Sequence, residues 1–324
     1  MQTVLVTDVS ARPGEGGGIG LLEEAGLELR FMPTPPATAA TELIRRLQGC
    51  FAVLAGSQYY TAEVFQAVPE LSIVARLGVG YDAIDVNAAT AHGVAVTTTP
   101  GTLEWAVADH TLGLIIALAH HIPGDDQSIR RGEWRPTWGV DVWRKTLGLV
   151  GLGRIGRGVA QRARGFEMRI LAHDPAPDLA FVQANAIELV SLEDLLRQSD
   201  FVSLHAPLAE GTHKLMNAER LALMKPSAFL INTARGPLID EDALYAALQA
   251  GRLGGAGLDV RAEEPPTDNR FAEFANVVLT PHDSGMTDGR WLACGNMAAR
   301  SILSVLHGER PDGLLNPDVW ERRR

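Results

Sequence analysis

Short runs of apolar residues recur along the chain, each bounded by Gly, Pro or polar residues. Val4-Leu5-Val6, Ala52-Val53-Leu54, Ile73-Val74-Ala75 and Val94-Ala95-Val96 form a first series. Uninterrupted runs this short predict strands buried on both faces, and hence a parallel sheet. Helical spacing fills the intervals at residues 41–47 and 61–67. A second series opens at Leu147-Gly148-Leu149-Val150 and continues through residues 168–172, 187–190, 201–204, 229–231, 257–259 and 277–279. Ser191 with Asp194 makes a capping pattern ahead of Leu195-Leu196. Lys225-Pro226 stops a helix near residues 218–224, and Asp240 opens another that ends near Gly251. Two longer helical patterns, residues 103–119 and 289–306, flank the second series. The pattern predicts an α/β protein of two doubly wound parallel-sheet domains. Residues 1–99 with 288–324 would form one, flavodoxin-like, and residues 100–287 would be inserted within it. A cleft between two such domains is a common place for a small-molecule site.

One motif gives the inserted domain a chemistry. Gly151-Leu152-Gly153-Arg154-Ile155-Gly156 follows a predicted strand, opens a helix predicted over residues 155–164, and is followed 23 residues after Gly151 by Asp174 at the end of the next strand. A lone GxGxxG is weak, because a packing turn in any α/β protein can match it; the strand, the helix and the acid together make a Rossmann dinucleotide fingerprint. Gly151 would permit the tight turn, Gly153 would let the backbone approach a pyrophosphate, and Gly156 would let the helix pack on the strand. The helix N-terminus would present amides to phosphate. Asp174 would accept from both ribose hydroxyls and repel a 2′-phosphate, which favours NAD over NADP. A second glycine cluster, Gly14-Glu15-Gly16-Gly17-Gly18-Ile19-Gly20, has neither that register nor a Lys-Ser/Thr. It reads as a surface loop before a helix at residues 21–25.

Composition narrows the partners. The 324 residues are 46% hydrophobic and 21% charged, with a formal net charge of −10. An acidic surface repels phosphate backbones and anionic lipid, so neither nucleic acid nor membrane is expected as a partner. No apolar stretch is long enough to span a bilayer, and residues 1–10 lack the basic start of a leader. Cys50 and Cys294 match no zinc or redox spacing, and no metal site is expected. Two buried thiols in a reducing, cytoplasmic compartment fit this. His120-His121 would point about 100° apart on a helix and reads as surface.

Candidate catalysts fall at the ends of the later strands, where ligands sit in open parallel sheets. Arg235 follows residues 229–234, Glu264 follows residues 257–260 by a short loop ending in Pro265, and His282 follows residues 277–281. Singly, each has an ordinary explanation: a structural histidine or a solvated charge. An arginine, a carboxylate and a histidine converging beside a nicotinamide make a hydride-transfer site.

The chain resembles the D-isomer-specific 2-hydroxyacid dehydrogenase family. The likeness rests on residues 78–85 (GVGYDAID), residues 106–111 (AVADHT), the GLGRIG segment, residues 202–208 (VSLHAPL), residues 232–236 (NTARG), residues 263–265 (EEP) and residues 280–282 (TPH). It implies NAD-dependent hydride transfer between the nicotinamide and C2 of a small 2-oxo or 2-hydroxy acid, in a homodimer. It further implies that His282 is the acid/base and that Glu264 is its partner, favouring the imidazolium and holding the ring. Arg235 would anchor the substrate carboxylate and polarise the carbonyl. The amides of Val79 and Gly80 would bind the carboxylate too. Asp259 would bind the nicotinamide carboxamide, and Arg154, Ile155, His205, Ala206, Pro207, Thr212, Thr233, Ala234, His282 and Gly285 would line the cofactor.

Two departures bear on the substrate. Asp283 stands where the family favours small or apolar residues, and an acid there disfavours a second negative charge on the substrate. The loop Ala55-Gly56-Ser57-Gln58-Tyr59 carries no base to hold a phosphate. Glyoxylate or hydroxypyruvate is therefore favoured, with D-3-phosphoglycerate the alternative, for which Arg76 leaves room. An NAD-sensing, corepressor-like binding protein is the alternative of another class. Trp105, Trp134, Trp138 and Trp143 cluster in one segment, and Trp134 or Trp138 is expected to pack across a dimer.

Overall fold

The computed structural model describes residues 2–8, 17–35 and 38–323, and the chain divides into two compact units. One is Met1–Leu103 with Thr287–Arg324; the other is Glu104–Met286.

The first unit is a five-stranded parallel sheet of β1 (Thr3–Val6), β2 (Glu28–Phe31), β3 (Cys50–Ala55), β4 (Ile73–Arg76) and β5 (Ala95–Thr97). Their order, β2-β1-β3-β4-β5, is the flavodoxin-like one. Crossovers run through α1 (Gly17–Glu24), α2 (Ala40–Leu47), α3 (Ala62–Ala67) and α4 (Val86–Ala91). Leu5, Val53, Val74 and Val96 are buried beside Leu43, Val64 and Phe65, so the short apolar runs do sit between two layers. β2 has no such run. Glu28-Leu29-Arg30-Phe31 is a half-exposed edge strand, and one-sided burial hides it from a search for apolar runs.

The glycine cluster is not a loop where it is described. Gly17 to Gly20 begin helix α1, while Gly14 to Gly16 lie outside the described residues. A Cβ on Gly18 would lie 2.1 Å from the carbonyl oxygen of Gly295. Gly18 is there because two helix backbones touch.

The second unit has seven parallel strands: β6 (Thr146–Val150), β7 (Arg169–His173), β8 (Glu188–Leu189), β9 (Phe201–Leu204), β10 (Phe229–Asn232), β11 (Gly255–Leu258) and β12 (Val277–Leu279). Their order is β12-β11-β10-β9-β6-β7-β8. The order reverses between β6 and β9, which is the Rossmann arrangement and its switch point. The helices are α5 (Glu104–Ala119), α6 (Ile122–Arg130), α7 (Arg154–Ala163), α8 (Leu179–Ala184), α9 (Leu192–Gln198), α10 (Ala218–Leu221) and α11 (Glu241–Gln249). Ser191 caps α9 by accepting from the Asp194 amide at 3.1 Å, and its hydroxyl donates to the Asp194 carboxylate at 2.7 Å. The His120-His121 pair is not on a helix: α5 ends at Ala119, and His121 takes a left-handed φ of 54° before α6. The last helix, α12 (Asp288–Leu306), returns to the first unit and packs on α1 and β4. No helix among the described residues is long and apolar enough to cross a membrane.

Candidate active site

The glycine-rich turn joins β6 to α7 at the switch point. Gly151 has φ of +98°, and a Cβ there would sit 2.7 Å from the His205 carbonyl carbon. Only glycine combines that backbone with that approach. A Cβ on Gly156 would strike the Gly151 carbonyl oxygen at 2.3 Å, whereas one on Gly153 would meet nothing within 4 Å. Gly153 therefore faces open space at the N-terminus of α7, beside Arg154 and Ile155. Asp174 ends β7. Its Oδ2 accepts from the Leu152 amide at 2.6 Å and its Oδ1 from the Ala176 amide at 2.8 Å. The acid is thus oriented by the same turn that would hold a pyrophosphate. These features fit a dinucleotide.

His205, Ala206 and Pro207 leave β9 across the switch point. Burial pushes the His205 imidazole down to about 4, so it is neutral at pH 7, with Nε2 2.9 Å from the Ser203 hydroxyl. The Thr212 hydroxyl donates to the Pro207 carbonyl and accepts from the Ala209 amide, closing that loop on itself. Thr233 is buried, and its hydroxyl lies 3.0 Å from that of Thr111.

The ends of β10, β11 and β12, which are neighbours in the sheet, carry the ionisable residues. His282 follows β12 with φ of 55°, an uncommon conformation for a non-glycine residue. Its amide donates to the Asp259 carbonyl at 2.8 Å, and its Nδ1 is 2.6 Å from Glu264 Oε2. The other Glu264 oxygen accepts from the Arg261 amide at 3.0 Å. Arg261 is itself pinned by a two-point contact with Glu241, at 3.0 Å on each arm. Glu264 is therefore fixed before it meets the imidazole, and His282 Nε2 is the ring nitrogen left for other chemistry.

Arg235 follows β10. Asn232 holds its turn: the side-chain amide donates to the Arg235 carbonyl at 2.8 Å and its oxygen accepts from the Ala234 amide at 3.0 Å. A Cβ on Gly236 would come within 1.9 Å of the Arg261 carbonyl. That glycine lets the Arg235 loop abut the loop bearing Glu264.

Asp259 is 1% exposed at the end of β11. Burial alone would push its carboxyl up. Donors from Ser284, Thr280 and the Asp283 amide, together with nearby His110, outweigh that and hold it below the ordinary range. The Thr280 hydroxyl gives its one proton to Asp259 at 2.7 Å, so His110 Nε2, 3.1 Å from the same oxygen, must donate.

Asn232, Arg261, Thr280 and His110 were not singled out from sequence. Asn232, Thr280 and His110 stand inside quoted motifs, but only the fold shows which backbone groups and side chains they serve. Gly285 follows Ser284 in the loop leaving β12. Val79 and Gly80 follow β4 in the first unit, half-buried, after Gly78, whose amide donates to the Thr99 hydroxyl at 3.0 Å. Trp134 and Trp138 are 85% and 95% exposed, while Trp105 and Trp143 are stacked by Arg162 and Arg144.

The chain is similar to known proteins over most of its length. The model of the D-isomer specific 2-hydroxyacid dehydrogenase NAD-binding domain matches residues 112–284. A glyoxylate reductase of Korarchaeum cryptofilum is 42% identical, covering 94% of each chain. A D-3-phosphoglycerate dehydrogenase of Methanocaldococcus jannaschii is 38% identical over all of this chain and 61% of its own. Among solved structures, the TT0316 protein of Thermus thermophilus superposes with a TM-score of 0.89 at 38% identity, covering 97% of this chain and 100% of that one.

Proposed function

This chain belongs to the D-isomer specific 2-hydroxyacid dehydrogenase family and is an oxidoreductase acting on CH–OH donors; on that premise we propose that it reduces glyoxylate, hydroxypyruvate or a similarly small 2-oxo acid with NADH. The observation that carries this reading is the 2.6 Å contact between Glu264 and His282 at the sheet edge that also presents Arg235 and Asp259.

The cofactor, when bound, supplies a hydride to C2. The protein's residues do the rest. Glu264 accepts at Nδ1 and fixes the ring, so Nε2 is the nitrogen of His282 that delivers the proton to the C2 oxygen. Arg235 takes the substrate carboxylate and draws electron density from the carbonyl. Asp259, oriented by donors on the protein side, offers an oxygen to the carboxamide. Asp174 selects NAD by accepting from the ribose hydroxyls.

A small unphosphorylated substrate is supported by the loop after β3. Gln58 is 2% exposed, its oxygen accepting from Thr7 and its amide donating to Thr34. The long polar side chain of that loop is thus spent inward. A cytoplasmic homodimer completes the reading: both cysteines are buried and unpaired, and the exposed rings of Trp134 and Trp138 offer apolar area for a second copy to cover. Sedimentation as a monomer at micromolar concentration would remove the dimer.

NADH oxidation is measured with glyoxylate, hydroxypyruvate, pyruvate and 3-phosphohydroxypyruvate. Turnover is expected with the first two, and His282→Ala is expected to lose it about 10²–10⁴-fold while still binding NADH. Undiminished turnover in that variant removes His282 from the reaction.

A further inference from the structure

Asp283, the residue after His282, has a side-chain oxygen with no counterpart. Its Oδ1 is buried and accepts no hydrogen bond among the described residues. A buried carboxylate oxygen left unpaired is costly, and where one persists a function is the first explanation to test.

The neighbours do not satisfy it. Side-chain atoms of His110, Asp259 and Asp283 lie within 4.8 Å of one another. His110 Nε2 is committed to Thr280. Asp259 is a buried carboxylate, whereas Asp283 is part-exposed with its Oδ1 enclosed, and donors already serve Asp259, among them the Thr280 hydroxyl and the amides of Asp283 and Ser284. The Asp283 amide thus supports Asp259 while its side chain adds a second negative charge to the same pocket. What is missing is a positive charge that comes and goes.

The proposed function puts a nicotinamide carboxamide at Asp259, and the present inference rests on that reading. The reduced ring is neutral, and the oxidised ring carries one positive charge. A carboxylate a few ångströms from Asp259 stabilises the oxidised form and is nearly indifferent to the reduced one. We propose that Asp283 is an electrostatic determinant of the bound redox equilibrium. It tightens NAD⁺ relative to NADH and so draws the bound couple toward reduction of the oxo acid. A single charge pair in a partly screened site changes affinity about tenfold. Asp283 therefore biases the equilibrium between the bound states, whereas His282 and Arg235 set rate.

The test is binding to the full-length protein without substrate. Dissociation constants for NAD⁺ and for NADH are measured by calorimetry in the wild type, Asp283→Asn and Asp283→Ser. Both variants remove the charge and keep the backbone amide that serves Asp259. The expected result is an NAD⁺ constant about tenfold weaker and an NADH constant within about twofold of wild type. For a two-electron couple that tenfold ratio is a shift of about 30 mV in the bound potential. A merely structural role would weaken both nucleotides together. An unchanged ratio in both variants overturns the proposal while leaving the dehydrogenase reading intact. Failure of the wild type to bind either nucleotide overturns both.

Discussion

The proposed role of Asp174, selecting NAD over NADP, is tested by Asp174→Asn, which isolates its charge. In NADP the 2′-phosphate would replace the hydroxyl that the carboxylate accepts from. At pH 7 that phosphate carries about two negative charges. At ~4 Å each unit pair repels by about 1 kcal/mol in water and about 4 kcal/mol at an effective dielectric of 20. Asp174 is half-buried at the lip of the turn, so the lower half of the range applies. About 2–4 kcal/mol corresponds to a roughly 30- to 1,000-fold preference for NADH. The substitution is structurally mild. An asparagine oxygen can keep the short bond from the buried Leu152, and the amide it gives up belongs to exposed Ala176, where water replaces it. Loss of the charged acceptor should lower kcat/KM for NADH about tenfold. The NADPH-to-NADH ratio of kcat/KM should rise at least about 30-fold. The assay is initial-rate absorbance at 340 nm with glyoxylate, varying each cofactor. Equal use of both cofactors by the wild type, or a ratio unmoved in the variant, refutes the assignment of Asp174.

Three further outcomes follow from the same contacts. Glu264→Gln keeps an acceptor for His282 Nδ1 and removes the charge. With both side chains more than a third exposed, screening limits the loss, and kcat/KM for reduction should fall only about tenfold with NADH affinity unchanged; a wild-type rate would show that the charge is idle. Gly236→Ala places a methyl group 1.9 Å from the Arg261 backbone, so one loop must move. A loss of about 2–3 kcal/mol in urea unfolding is expected, with kcat falling as Arg235 and Glu264 separate, and a variant unchanged in both would show that the loops do not need this contact. His205 titrates near 4 in the fold, against an ordinary value of 6.5. Its contribution is complete above pH 6.5 and is lost as pH falls through the interval down to about 4, because the unfolded chain takes up the proton first. At pH 5 the loss is at most about 2 kcal/mol, and His205→Gln should flatten that part of the stability profile in denaturant titrations at pH 5 and 7.5.

Most of the strand framework was legible because a parallel sheet covered on both faces leaves a plain trace: apolar runs such as Leu147 to Val150 with no polar alternation. The exceptions have specific causes. β2 is an edge strand, and half its surface is wet. α6 buries no side chain, so it has no apolar stripe to find. The cluster at Gly17 to Gly20 imitates a loop in composition, yet it is helical, and at Gly18 the backbone of Gly295 leaves no room for a side chain.

The site divides along the same line. Arg235, Glu264 and His282 could be chosen because each is an ionisable group just past a strand, which is a statement about local order in the chain. Their placement depends on groups with no such mark: the Asn232 side chain under Arg235, the Arg261 amide on Glu264, and the Thr280 hydroxyl that fixes both Asp259 and the donor nitrogen of His110. These are neutral or backbone hydrogen bonds whose partners are known only once the loops meet. Asp283 shows the difference most sharply. From sequence it is an acid beside a histidine, a feature that bears on substrate charge. In the fold its amide serves Asp259 while its carboxylate oxygen is left unpaired in the same pocket. One residue thus both supports the group assigned to the carboxamide and adds charge that the ring would feel, which is why substrate charge and cofactor redox state are coupled questions in this protein.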